Sequence, residues 1–287
     1  MSRRLFVPVL SCPALLLLAL TACGETPPAT PPVETPPVVE APKVEAPPAM
    51  DAAMLEAEAK KASLVPSPTE MQNALKDAGI AEGLSAMVPD RTPQMDVENK
   101  DVVAVRTGTV LAWALLTVKD APKEKLVGRM EQVKAGMGTL GAGTDINATI
   151  DDLVGRINSD SLSREDLLSE LEEMHGAVIP EIEYEAGPRS VPLIQAGSWL
   201  AGVNLVSAAI VKSGNAEAGT KLLRQPDVAD HFLTYVRTEG ADKAPPEVMT
   251  RLEATLVTLK ALAEKPALTL DDVKAVQEQT DGVLALL

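Results

Sequence analysis

A glutamate and a histidine on one predicted helix have the spacing of a metal site. Glu172 and His175 form a Glu-x-x-His pair, which places a carboxylate and an imidazole on the same side of an α-helix. Di-iron bundles complete such a pair with carboxylates from other helices, and the apolar segments 102–118 and 191–211 contain none. Glu172 and His175 are therefore a metal-site hypothesis, and its alternative is a solvated acidic helix face.

Three polar residues interrupt the two most apolar segments of the domain. Arg106 lies within residues 102–118, and Gln195 and Asn204 lie within residues 191–211. A charge inside an apolar helix needs a partner or a cavity. We predict that Arg106, Gln195 and Asn204 line a small-ligand cavity where the two segments meet. The alternative for Arg106 is a side chain that reaches solvent from one end of the core.

Two further motifs suggest chemistry but lack the context that it requires. Gly136–Gly141 has the spacing of a dinucleotide fingerprint, but a predicted helix, not a strand, precedes it. Asp145–Thr149 begins like a calcium loop, but Ile150 replaces the invariant glycine and Arg156 replaces the bidentate glutamate. The two histidines have no recognisable acid–base or nucleophile partners. We therefore predict no catalytic residue and no cofactor.

Periodicity and capping residues predict an all-α domain. Apolar residues recur at helical spacing, without a convincing alternating strand pattern. Ser67-Pro68-Thr69-Glu70 has the residues of a capping box with proline at the first helical position, and Gly79 ends that helix. Further helices are predicted over residues 51–62, 96–118, 123–140, 145–158, 164–186, 191–213, 216–223, 227–239, 246–264 and 270–286.

Two internal matches suggest a duplication. Thr107–Ala112 resembles Ala196–Ala201 at an offset of 89 residues, and Leu162–Leu167 resembles Leu268–Val273 at an offset of 106. We predict a multi-helix bundle built from two duplicated four-helix units. Chance similarity between simple helical sequences is the alternative. The predicted parts of the helical domain 51–287 are short helices in residues 51–79, a repeat unit in 96–186 and a repeat unit in 188–287.

Residues 191–211 carry no charge over a length that could cross a bilayer. Polar and small residues dilute this segment, and its partner in the first internal match carries Arg106 where this one has Gln195. We predict a core helix surrounded by its own bundle. A transmembrane helix is the alternative.

The chain is acidic, with 41 Asp and Glu against 26 Lys and Arg and a net charge of −15. A negative field repels phosphate backbones, so we predict no nucleic-acid partner. Basic partners or cations are favoured, and a surface that simply keeps the protein soluble is the alternative. With two Trp, two Tyr and two Phe, the chain can hardly build the aromatic platforms of carbohydrate- and base-stacking proteins.

The N-terminus has the features of an export signal. Arg3 and Arg4 precede an apolar run, and small residues follow it before Cys23. Leu20-Thr21-Ala22-Cys23 resembles the lipobox of bacterial lipoproteins. The resemblance implies that residues 1–22 are a signal peptide and that acyl chains on Cys23 anchor the protein in a membrane. An ordinary signal peptide is the alternative.

The resemblance also implies where the protein is anchored. Gly24, in the place of an aspartate, implies sorting to the outer membrane, with the domain facing the periplasm. Because Cys12 is lost with the signal and Cys23 is acylated, the mature domain has no disulfide and no thiolate metal ligand. After Cys23, the residues up to position 50 are rich in proline. A polyproline II linker of this length could hold the helical domain up to ~80 Å from the bilayer.

The helical domain resembles a group of uncharacterised helical lipoproteins of Gram-negative envelopes. The resemblance rests on the helix start at Ser67–Glu70 and on Ala196-Gly197-Ser198-Trp199-Leu200-Ala201-Gly202. It implies an exported all-α domain over most of residues 67–287 and no particular activity. We predict a non-enzymatic scaffold or interaction module with a protein partner in the envelope. The alternative is a small-ligand or metal-binding bundle, and an unrecognised enzyme is the third possibility.

Overall fold

The described part of the chain is entirely helical. A computed structural model describes residues 64–80, 82–240 and 243–287, and for residues 175–181 and 186 it describes the backbone alone. All of these residues belong to one unit of contacts, Met50–Leu287. The predicted all-α class is confirmed for them. The signal peptide, Cys23, the linker and the predicted helix 51–62 lie outside the described residues.

Ten α-helices and one 3-10 turn make up the secondary structure of these residues. The 3-10 turn, Ser85–Met87, lies between the first two helices. The helices are α1 (Pro68–Asp77), α2 (Lys100–Thr117), α3 (Lys123–Leu140), α4 (Thr144–Asn158), α5 (Arg164–Ala186), α6 (Ser190–Ser213), α7 (Ala216–Leu222), α8 (Pro226–Glu239), α9 (Pro246–Ala263) and α10 (Leu270–Leu284).

Side-chain caps begin several of these helices. The predicted box at α1 is confirmed: Ser67 Oγ accepts from the Glu70 N–H at 3.2 Å, and Glu70 Oε2 accepts from the Ser67 N–H at 2.7 Å. Thr269 and Asp272 form the same reciprocal box at α10. The predicted start of α2 at residue 96 was wrong by four residues. The side chain of Asn99 accepts from the Val102 N–H and sets the helix start there.

Helices α2 and α6 form the centre of the domain and run in the same direction. Near their N-termini, Arg189 forms an ion pair with Asp101 at 2.9 Å. Two turns farther along both helices, the Thr109 hydroxyl donates to the Gly197 carbonyl at 3.3 Å. Both contacts join residues 88 apart in the chain, as side-by-side parallel helices require.

A reciprocal pair of glycines brings these two helices into backbone contact. A β-carbon at Gly108 would lie 1.9 Å from the Ile194 carbonyl oxygen, and one at Gly197 would lie 1.9 Å from the Val105 carbonyl oxygen. Only glycine permits such an approach, because any other residue places a β-carbon in that space. Gly197 and Ile194 lie 89 residues after Gly108 and Val105, so each contact is the counterpart of the other under the offset of the sequence match.

Helix α6 is the one described helix that is long and apolar enough to cross a membrane. In its most apolar stretch of 18 residues, 78% of the residues are buried inside the domain. Its neighbours include α2, α10, α5, α1 and α7. Packing on these helices accounts for the lack of charge in α6 and agrees with the predicted core helix.

The two halves of the domain differ in how their helices pair. Residues 96–186 contain four helices, and residues 188–287 contain five among their described residues. Helix α10 lies along the central helix of its own half, α6. Helix α5, which the second sequence match pairs with α10, instead packs on α3 and α6.

Candidate functional site

The C-terminal end of α2 is buried, and side chains from other helices satisfy its carbonyl groups. Gln72 of α1 donates to the Leu116 carbonyl at 3.2 Å. Arg164 of α5 donates to the carbonyls of Val118 and Ala121, both at 2.9 Å. The last turn of a helix leaves such carbonyls without intrahelical partners and concentrates negative partial charge. A cationic donor such as Arg164 is therefore stabilising there.

Arg129 of α3 also approaches this helix end, but it uses only part of its donor capacity. Its Nη1 donates to the Trp113 carbonyl at 3.4 Å and to the Thr117 hydroxyl. Its side chain forms no salt bridge in the described part of the chain, although Arg129 is only 8% exposed. Burial lowers the pKa of Arg129, and the charge of Asp120 opposes that shift. The Asp120 carboxylate itself accepts from the Ser85 N–H at 3.0 Å.

Nε and Nη2 of Arg129 have no acceptor among the described residues. A guanidinium presents five N–H donors in a fixed plane, and Nε with Nη2 forms one edge that can bind both oxygens of a carboxylate. Neither nitrogen is among the fully buried side-chain atoms that lack a partner, so this edge is accessible to solvent. Arg129 is thus a buried cation with a free bidentate edge.

An open cleft of about 1200 Å³ lies against Arg129. Its charged lining is slightly positive, whereas the whole chain carries −15. Lys125 forms an ion pair with Asp90 at 2.6 Å on this wall. The charged lining residues are Lys76, Arg91, Lys119, Lys125 and Arg129, with Glu82, Asp90, Asp120 and Glu124.

Trp113 of α2 lines the cleft and carries a buried donor without a partner. Trp113 is 2% exposed, and its Nε1–H has no acceptor among the described residues. The indole nitrogen can only donate, and an unmet buried donor costs roughly 1–3 kcal/mol. The other tryptophan, Trp199, differs because its Nε1–H donates to Gln225 Oε1 at 2.9 Å.

A side pocket of about 270 Å³ adjoins the cleft and shares Arg91, Thr92 and Trp113 with it. Its lining contains Arg91 and Arg106 and no acidic residue. Arg106 donates to the backbone oxygens of Gln94, at 2.7 Å, and Leu287. Burial lowers the pKa of both arginines. The predicted ligand residue Arg106 therefore lines this pocket.

The structure does not bring Gln195 and Asn204 into that pocket. Gln195 is half-buried on α6. Asn204 lies nine residues farther along α6, a rise of roughly 13 Å. Its amide donates to Asp281 Oδ1 at 2.8 Å and to the Thr280 hydroxyl at 3.0 Å, which fastens α6 to α10. Burial lowers the pKa of Arg91, and the charge of Asp281 opposes that shift, so Asn204 is linked to this pocket only through its hydrogen-bond partner Asp281.

The metal hypothesis finds no support in the described residues. Glu172 is exposed on α5, and the side chain of His175 lies outside the described part. Among the side chains that the structure describes, no group of three or more His, Cys, Asp or Glu could hold a metal ion. The lipidation residue, Cys23, also lies outside the description.

Arg129 was not among the site residues predicted from the sequence, although the local pattern contained a signal for it. It lies at helical spacing from Leu126 and Val133, both fully buried, so the period of α3 places its guanidinium on the apolar face. The missing partner of Trp113 had no such signal, because the acceptors near a side chain depend on the other helices.

The chain was compared with protein-family models, curated proteins and solved structures, and none of the three gave a match.

Proposed function

We propose that the helical domain binds a small carboxylate-bearing ligand in the cleft at Arg129. The observation that carries this proposal is the free Nε–Nη2 edge of a guanidinium that is only 8% exposed and has no ion-pair partner among the described residues. Trp113 lines the same cleft, and its own Nε1–H is buried without an acceptor among the described residues, so its indole is a nearby reporter of binding. A guanidinium can only donate, so its ligand must offer acceptors.

A carboxylate fits this wall better than a phosphate does. The edge of a guanidinium matches the two oxygens of a carboxylate, and such charge-assisted pairs are strong. Asp90, Asp120, Glu82 and Glu124 also line the cleft and would repel a dianion. The same acids would attract an amine, so a zwitterion such as an amino acid or a short peptide suits the cleft.

We further propose that this domain is lipid-anchored in the cell envelope. The lipobox-like Leu20–Cys23, the export signal and the proline-rich linker up to residue 50 support an acylated Cys23 and a domain held away from the bilayer. The outer membrane, facing the periplasm, is the proposed site. In this setting the domain captures its ligand without chemical conversion.

A scaffold that binds another envelope protein is the second candidate function. Tyr184 of α5 is 90% exposed, and aromatic side chains are enriched where proteins meet. Native mass spectrometry of the lipidated protein, extracted gently from its own cells, distinguishes the two functions. A co-purifying protein supports the scaffold, and a small-mass adduct supports the ligand-binding domain.

The reciprocal glycine contact supports an internal duplication as well. Gly108 meets Ile194 and Gly197 meets Val105, and each partner is its counterpart shifted by 89 residues. We propose that α2 and α6 are equivalent helices related by a pseudo-twofold axis between them. In this proposal, the different neighbours of α5 and α10 reflect a later rearrangement of the outer helices.

Trp113 and Trp199 provide a direct test of ligand binding. In a spectrum of the ¹⁵N-labelled chain, each indole N–H gives one signal, and Trp113→Phe assigns them. The probe is N-acetylalanine, its neutral control is N-acetylalaninamide, and chloride keeps the ionic strength constant. We expect the carboxylate to shift the Trp113 signal and the amide not to shift it. The Trp199 signal should stay in place because Gln225 already accepts its hydrogen bond.

Arg129→Lys is the matched variant for this titration. It keeps the positive charge but removes the bidentate edge, and hydrogen bonds to charged groups contribute ~1.5–3 kcal/mol. We expect affinity to fall by roughly tenfold or more. Lys125→Arg, on the same cleft and outside the buried wall, should change affinity little. The proposal would be contradicted if the Trp113 signal did not shift with N-acetylalanine, or if it shifted equally with N-acetylalaninamide.

A further inference from the structure

A segment of irregular backbone, residues 88–94, lines both the cleft and the side pocket and is here called the strap. Pro89 and Pro93 flank Arg91, and each proline fixes its own φ and favours extended backbone at the residue before it. The carbonyl of Gln94, the last residue of the strap, accepts a hydrogen bond from α2 at 2.7 Å. The strap therefore holds Arg91 in a defined place between the two cavities.

Arg91 has donors that no described residue uses. It is half-buried and lines both the cleft and the side pocket. No hydrogen bond or salt bridge joins it to another described residue, and the charge of Asp281 acts on it from beyond salt-bridge distance. Arg106 differs, because the backbone oxygens of Gln94 and Leu287 accept from it. Arg91 is therefore the cation of the side pocket whose donors are left for a ligand.

We propose that the ligand of the cleft is an acidic amino acid, with its α-carboxylate on Arg129 and its side-chain carboxylate on Arg91. This assignment rests on the proposed function and adds a second anchoring residue and the class of the ligand's side chain. Each guanidinium presents an edge that matches the two oxygens of one carboxylate. A neutral amino acid would pair with Arg129 alone and would leave Arg91 without an acceptor.

The charges of the two cavities suit such a ligand. The α-amine of an acidic amino acid offsets one of its carboxylates, so the ligand is not a dianion. Glu82 and Glu124 line the cleft and form no salt bridge with a described residue, so they can attract the amine. The described lining of the side pocket, in contrast, has no acidic side chain. The second carboxylate therefore meets a guanidinium there and no acidic neighbour in the wall.

The side pocket is also large enough for the side chain of the ligand. Its volume is about 270 Å³, and the adjoining cleft has about 1200 Å³. A water molecule takes ~30 Å³ in the liquid, and a methylene group is of similar size. The side chain of aspartate or glutamate therefore fits in the side pocket and leaves space for water.

The test compares each acidic amino acid with its own amide: L-glutamate with L-glutamine, and L-aspartate with L-asparagine. The full chain is titrated, and chloride keeps the ionic strength constant. Trp113 lines both cavities, so its indole signal reports binding, and the signal of Trp199 is the internal control. Because hydrogen bonds between charged groups are strong, we expect at least one acid to bind roughly tenfold more tightly than its amide.

Three variants connect this preference to Arg91. Arg91→Gln should abolish the preference and leave the affinity for the amides unchanged, since they use Arg129 alone. Arg224→Gln is the matched control, because it removes the same charge from an exposed arginine that lines neither cavity, and it should keep the preference. Arg129→Lys should weaken the binding of acids and amides alike.

The outcomes separate this inference from the proposed function. If each acid and its amide bind with equal affinity, the inference is overturned and the proposed function stands. A preference that survives Arg91→Gln would overturn the inference as well, because another cation would then hold the second carboxylate. If N-acetylalanine does not bind, the proposed function fails, and the inference fails with it.

Discussion

Gly108 and Gly197 are the positions at which a single methyl group should damage this fold most clearly. An alanine β-carbon at either site would lie 1.9 Å from a backbone carbonyl oxygen of the facing helix, and ordinary contact begins near 3.4 Å. Helices α2 and α6 would have to separate by roughly 1.5 Å at this point. We therefore expect both Gly108→Ala and Gly197→Ala to be strongly destabilising.

The expected change in the free energy of unfolding combines a packing penalty with a gain in helix propensity. Overpacking of a core costs ~1–3 kcal/mol or more, and a gap of 0.5–1 Å already forfeits a quarter to a half of the dispersion energy of the facing atoms. Replacement of a helical glycine by alanine recovers ~1 kcal/mol of helix propensity. The net loss should be about 2 kcal/mol for each variant, a substantial share of the 5–15 kcal/mol that typically stabilises a domain.

The assay is equilibrium urea unfolding followed by far-ultraviolet circular dichroism. Gly155→Ala is the matched control, because Gly155 lies inside α4 with no heavy atom within 4 Å of the added carbon. This control should gain roughly 0.5–1 kcal/mol. The double variant Gly108→Ala/Gly197→Ala should lose less than the sum, since the first methyl already separates the helices. Alanine tolerated at either position as well as at Gly155 would refute the close helix contact.

Two further predictions concern α10. Hydrogen bonds from Lys265, at 2.5 Å, and from Thr269 lower the pKa of Asp272 from 3.8 to about 2. The stabilisation is therefore present above pH ~4 and lost as the pH falls towards 2, so Asp272→Asn should destabilise the protein at neutral pH and match wild type near pH 2 in urea titrations. Asn204→Ala removes the buried amide that binds Asp281 and leaves acceptors unpaired, and it should cost ~2 kcal/mol in urea unfolding. The control is Thr149→Ala, at an exposed position on α4, and it should change stability little.

The local features of the fold could be predicted from the sequence because they depend on residues close together in the chain. The capping box at Ser67 joins groups three residues apart, and it is formed as predicted. Helix periods and breakers likewise placed α3, α5 and α9 within two residues of their observed bounds. The start of α2 was predicted too early because Asn99, rather than an earlier residue, caps it.

The candidate site residues show that a local sequence pattern does not predict the tertiary partners of a side chain. The sequence marked Arg106, Gln195 and Asn204 by the same rule, a polar residue in an apolar helix, yet Arg106 lines a pocket and Asn204 binds α10. Two arginines show the same limit, because Arg164 is paired with carbonyls while Arg129 keeps a free edge.

The sequence by itself determined the helices, their caps and the acidic character of the chain, since these follow from composition and from contacts within a few residues. Tertiary structure alone decided which buried donors go unpaired, as at Trp113 and Tyr235. The physical reason is that a side chain meets its acceptors across helix interfaces, where partners far apart in the chain come together only on folding.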